Sequence, residues 1–269
     1  MNMVRSPAVA GVFYPAESVD LIQKVSTLLA RSTEGAHGRL LPKAIIAPHA
    51  GYIYSGPTAA AVYARLAPAR RQVTRVVLLG PAHRVPVRGL ALPGVQAFAT
   101  PLGMIPLDTA AIECIAMLPQ VTISRAAHAS EHSLEVQLPF LQTVLERFTI
   151  VPLAVGEATA AEVTEVLDAL WGGTESLIIV SSDLSHYLNY PDAQAFDRAT
   201  AQGILDLRTD ISYEQACGGT PINGLLLTAR RRGLQPELLD LRNSGDTAGS
   251  RRHVVGYGAF AFYETPHVH

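Results

Sequence analysis

Three stretches of the chain place metal-binding or proton-transferring side chains directly after runs of apolar, β-branched residues. Residues 43–47 (KAIIA) lead into PHAGYIYSG at 48–56, which carries His49 and Tyr54. Residues 75–80 (RVVLLG) lead into Pro81, Ala82 and His83, and residues 176–181 (SLIIVS) into Ser182, Asp183, Leu184, Ser185 and His186. Imidazole and carboxylate groups ligate metals and exchange protons near neutral pH. Ligands of open α/β sheets bind beyond the carboxyl ends of the strands. Three such ends carrying His49, His83, and Asp183 with His186 can therefore surround one crevice. Taken alone, Asp183 fits a helix cap equally well; the repetition favours a shared site.

A thiol and a His/Glu cluster add to these. Cys217 lies in YEQACGGTP, just before a predicted helix with Thr220 as N-cap and Pro221 at its first position. A helix N-terminus lowers a thiol pKa and favours the thiolate. A buried cysteine is as readily an inert small hydrophobe, and local sequence leaves both readings open. Cys114, in an apolar helical stretch, is expected in the core. HASEH at 128–132 matches H-x-x-E-H. Ser130 reads as an N-cap that leaves His128 outside the helix, and Pro139 interrupts the run that follows, so a zinc-protease helix is disfavoured. Glu131 and His132 remain candidates to line the main site. His37, His253, His267 and His269 are assigned no role.

The elements that must position these groups alternate. Besides the three strands, residues 149–155 and 254–263 read as strands, the first at an edge or strand end because of Pro152. Helices are predicted over 19–30, 56–66 with Pro57 in the first turn, 109–117, 134–147, 159–170, 192–206 and 221–232. Continuous apolar strands alternating with helices indicate a sheet covered on both faces. With no repeat or linker, the prediction is one α/β domain over 1–269, its core at about 4–264.

Composition agrees. The 269 residues are 48% hydrophobic and 16% charged, with a positive mean hydropathy of +0.21, unlike a disordered chain. A net charge of −2 lacks the basic surplus of a nucleic-acid binder. Arg230–Arg232 and Arg251–Arg252 read as a solvated helix end and a loop. Two cysteines cannot build a disulfide framework, and neither a signal peptide nor a membrane span is readable. A cytoplasmic protein that engages neither membrane nor nucleic acid is expected. Walker A, G-x-G-x-x-G and G-x-S-x-G patterns are missing from the sequence.

Six separate motifs, in order, resemble the Memo family: RSPAVAGVFYP at 5–15, APHAGYIYSG at 47–56, GPAH at 80–83, EHSLE at 131–135, SSDLSHY at 181–187 and NSGD at 243–246. The likeness extends to Tyr257, with Ser250 standing where an acidic residue is expected. In bacteria and archaea such proteins form the B component of the AmmeMemoRadiSam system. The resemblance implies AMMECR-type and radical SAM proteins as partners.

It also implies an α/β sandwich like that of the LigB-type (class III extradiol) dioxygenases, with a central mixed, largely parallel sheet and helices on both faces. A metal site is implied at His49, His83 and Cys217, with Asp183 and His186 close by. Those dioxygenases use two His and a carboxylate on Fe(II); a thiolate here is softer and also suits Cu or Zn. The leading expectation is a metal-dependent, dioxygenase-like oxidoreductase acting on a small molecule, with Fe(II) as the favoured metal. In it His186 is the general acid/base, Asp183 orients it or a bound water, and Tyr54 donates a hydrogen bond to substrate. A binding module for phosphorylated or anionic ligands is the alternative, and a zinc hydrolase the third.

Overall fold

In a computed structural model, which describes residues 3–32 and 41–265, the four apolar runs lie side by side. His37, His267 and His269 fall outside the described residues. Chain order runs β1 Val4–Arg5, α1 Ser18–Ala30, β2 Ala44–Ala47, α2 Tyr52–Tyr63, β3 Arg75–Pro81, β4 Leu90–Leu92, β5 Ala97–Thr100 and β6 Gly103–Pro106. It continues with α3 Thr109–Ile115, β7 Val121–Ile123, α4 Arg125–Ala129, α5 Leu138–Val144, β8 Thr149–Val155, α6 Ala160–Ala169 and β9 Ser176–Ser181. Last come β10 His186–Leu188, α7 Tyr190–Leu205, α8 Gly219–Arg232, β11 Gln235–Asn243 and β12 Val254–Tyr263.

The strands β2, β9, β3 and β8 are adjacent and parallel, so their carboxyl ends share one edge of the sheet. Antiparallel neighbours extend this centre: β12 beside β2, and β4 beside β8. β11 pairs along β12, and β10 pairs with the start of β12, which brings His186 to the same end as the other site motifs. Alternate strand residues serve opposite faces. Ile45, Val76, Leu78 and Ile179 pack with α1, α2 and α5, whereas Ile46, Val77, Leu79 and Val180 pack with α6, α7 and α8. The result is the expected mixed sheet with helices on both faces. No helix among the described residues is long and apolar enough to cross a membrane.

Several details depart from the sequence reading. α2 starts at Tyr52, leaving Pro57 inside it; Tyr52 N–H donates to Phe13 O (2.8 Å), and that tie sets the start earlier than proline preference suggests. α8 starts at Gly219, so Gly218 rather than Thr220 occupies the cap. The run 134–147 splits into a 3₁₀ turn, Glu135–Gln137, and α5, with Pro139 in its first turn. Ser130 ends α4 instead of capping a helix, and His128 lies within it. Cys114 is exposed on α3, not in the core. Pro152 sits mid-strand, but β4 pairs only with Ala154 and Val155 and does not reach it. The edge argument therefore holds locally.

At the opposite end of the sheet, buried Lys43 anchors the strands. Its Nζ donates to Trp171 O (2.7 Å), Gly173 O (2.6 Å) and Ser176 O (2.9 Å), tying β2 to the approach into β9. Lys43→Met is expected to strand those carbonyls and lower stability by about 1–3 kcal/mol. Urea denaturation measures this, and a change within a few tenths of a kcal/mol would show that the ammonium contributes nothing net.

Candidate metal centre

His49 follows β2 by two residues, and its backbone N–H donates to Asp183 Oδ1 beyond β9 (2.7 Å). Its ring is buried, with Nδ1 2.9 Å from Ser181 Oγ. Ser181 has one hydroxyl proton, which goes to Ser133 O (2.6 Å). It also accepts from Gln137 Nε2 (2.8 Å), whose amide orientation is set by Pro48 O and Tyr63 Oη. Only an accepting position remains for His49. Its Nδ1 therefore carries the proton, and Nε2 turns a lone pair toward the Cys217 Sγ, 3.5 Å away. Burial, followed by the neighbouring His132 and His83, holds this ring well below the usual histidine range.

Glu131 does the same for His83. Its carboxylate accepts from His83 N (2.5 Å), His83 Nδ1 (3.0 Å), His132 N (2.9 Å) and Ser133 N (3.0 Å). Burial pushes the carboxyl up, but contacts from His132 and His83 and the Ser133 N–H outweigh it and hold Glu131 well below the carboxylate range. An ionised carboxylate only accepts, so His83 donates from Nδ1 and keeps Nε2 free. His132 Nδ1 is 3.3 Å from the same oxygen but off the direction of a hydrogen bond. Its ring stacks on His83 (4.9 Å) and meets His49 edge-on (5.4 Å). His128 points elsewhere, with Nε2 donating to Ala91 O (2.7 Å). HASEH is thus split between α4 and a turn, unlike a zinc-protease helix.

Cys217 reaches this group from the segment before α8. Burial, followed by Asp183, pushes its thiol up to about 12. The lowering expected of a helix N-terminus loses to desolvation, and Gly218 N–H goes to Ser182 Oγ (2.9 Å). Ligand atoms of His49, His83 and Cys217 all lie within 4.8 Å of one another; His83, Glu131 and His132 form a second such group. Neither includes Asp183 or His186. Asp183 is buried beside them, and burial raises its carboxyl.

A cavity of about 880 Å³ opens over these side chains, lined by His49, His83, His132, Asp183, His186 and Cys217. Its outer wall is Tyr187, Leu188, Asp192, Phe196, Tyr213 and Glu214, none of them singled out in the sequence. Single exposed aromatics on a three-residue strand (Tyr187), a helix (Phe196) and a loop (Tyr213) carry no shared periodic signal; the HY pair at 186–187 is the nearest clue. Tyr54 is half-buried on α2 and is not among the lining residues.

The remaining motifs hold the frame. Arg5 donates to Glu135 Oε2 (2.7 Å) and to the carbonyls of His128 and Glu131, while Glu135 accepts from Ala8 N, Val9 N and Tyr14 Oη. Phe13 then packs on the His132 ring (4.8 Å). Asn243 and Asp246 close the turn between β11 and β12 through Gly245 N (2.9 Å) and Asn243 N (3.0 Å). A Cβ on Gly256 would come within 2.0 Å of Asp197 Oδ2, the residue whose other oxygen accepts from Ser185 N (3.0 Å).

Fold and site together define a mixed α/β protein with a His/Cys candidate metal pocket at the carboxyl edge of its parallel strands. A family described as Memo-like protein matches residues 5–261, and the chain belongs to that family. Among curated relatives, a MEMO1 family protein of Aquifex aeolicus is 35% identical over 271 residues, covering 96% of this chain and 99% of the relative. One from Archaeoglobus fulgidus is 36% identical over 276 residues (96% and 99%), and one from Nitrosopumilus maritimus 31% over 282 (97% and 100%). A solved structure of an uncharacterized protein from Escherichia coli K12 aligns with a TM-score of 0.48 and 16% identity, covering 81% of this chain and 99% of that one.

Proposed function

We propose that the chain is a metal-dependent oxidoreductase acting on a small molecule, with one metal ion held by His49, His83 and Cys217. The observation that carries this reading is the convergence of two imidazoles and a thiol within 4.8 Å on the floor of a cavity. The donor set fits a transition metal. Both rings are held by hydrogen bonds at Nδ1, the arrangement by which outer partners orient ligating histidines. Two neutral nitrogens and one thiolate suit Fe(II), our favoured metal, and are also accepted by copper and zinc. When bound, a redox metal with open positions supplies oxygen activation or substrate polarisation.

The chain's own residues supply the rest. Ser181 and Glu131 fix the two rings, and His49 and Cys217 lie buried at the floor. His186 lines the cavity with an imidazole, a group able to take or give a substrate proton. Asp183, joined to the His49 backbone, orients that exchange. Ser181→Ala removes the acceptor that sets the His49 tautomer, and is expected to weaken metal binding about 10–100-fold. Competition against a coloured chelator measures it; unchanged affinity would refute the role given to Ser181.

A further inference from the structure

The metal reading leaves the outer half of the cavity without a task, and its chemistry differs from that of the floor. Burial gives the depth: His49 and Cys217 are 2% and 6% exposed, whereas Tyr187 and Tyr213 at the mouth are 75% and 69% exposed. Phe196 adds a third ring there. Asp192 and Glu214 stand among these rings, exposed to solvent. Among the described residues neither has a cation within ion-pair distance. No Lys or Arg lines the cavity, and Asp183 brings a third carboxyl to its floor.

Such a wall discriminates by charge. An anionic ligand meets carboxylates with no counter-cation, so a phosphorylated or carboxylate ligand is disfavoured on entry. A cation meets two carboxylates that have hydrogen-bond partners, Asn189 Nδ2 on Asp192 (2.7 Å) and Ser212 on Glu214, but no ion-pair partner; the aromatic rings beside them attract it further. Tyr187 also holds a φ of 61°, in the left-handed region. A non-glycine residue there is strained, a feature met at ligand-contacting positions.

We propose that this cavity takes a small aromatic molecule bearing a cationic group, such as a primary ammonium, with its ring among Tyr187, Phe196 and Tyr213 and its charge paired by Asp192 and Glu214. The proposal rests on the cavity being the substrate site of the proposed oxidoreductase, but not on the metal.

The test is calorimetric titration of metal-free and metal-loaded protein with two probes sharing one ring, tyramine and 4-hydroxyphenylacetate. Tyramine is expected to bind at least about tenfold more tightly in both forms, with the preference shrinking as salt screens the exposed carboxylates. In the Asp192→Asn/Glu214→Gln double variant the preference should vanish. Both side chains are exposed, and an unchanged melting temperature confirms the fold. Equal affinities, a preference for the carboxylate, no saturable tyramine binding, or a preference that survives the double substitution would overturn the proposal. Metal content of the same samples reports on the metal site separately, so failure of one reading is distinguishable from failure of the other.

Discussion

Glu135→Ala is expected to lower stability by about 3–5 kcal/mol, the cost of removing one partner from a buried ion pair. Glu135 is fully buried and Arg5 nearly so, with 2.7 Å between their charged atoms. The guanidinium would keep the His128 and Glu131 carbonyls but lose its counter-charge. Two backbone N–H groups, of Ala8 and Val9, and the Tyr14 hydroxyl would lose their acceptor as well. The damage should reach the site, because the same N-terminal segment presents Phe13 to the His132 ring and Phe13 O to Tyr52 N. Guanidinium denaturation of the variant measures the loss. A cost below about 1 kcal/mol would mean that the segment folds independently of Glu135.

Cys217→Ser should lower metal affinity by more than the roughly 10–100-fold that loss of an outer partner costs, because a ligand itself is removed. Asp183→Asn should retain most of the affinity. Asp183 belongs to neither group of converging ligand atoms, whereas the Cys217 sulfur lies 3.5 Å from His49 Nε2. Equilibrium dialysis of both variants beside the wild type separates the candidates for third ligand. Loss in Asp183→Asn with retention in Cys217→Ser would transfer that place to the carboxylate.

Strands buried on both faces were legible in the sequence. Residues 149–155, 176–181 and 254–263 coincide with β8, β9 and β12 because each face of those strands meets a helical layer or another strand. Short strands such as β4 and β7, three residues each, carry too few positions for a pattern, and β11 mixes Pro236 with charged residues. Helix starts shifted where a distant group captured a backbone N–H, as Phe13 O does at Tyr52.

The candidate site divides the same way. His49 and His83 were readable as strand-end residues, since chain order alone puts them beyond β2 and β3. The proximity of Cys217 to His49 was not, because 168 residues separate them and only α8 packed beside the sheet joins the two. The twin roles of Ser181 and Glu131 in fixing ring tautomers depend on proton accounting in three dimensions. No spacing rule encodes it.

The most direct measurement is metal content by mass spectrometry on protein purified without oxygen, with His49→Ala beside it. Near-stoichiometric iron or copper in the wild type, lost in the variant, is the expected result. Wild-type protein that holds no metal after iron, copper and zinc have each been offered would contradict the metal centre and leave the cavity as a recognition pocket.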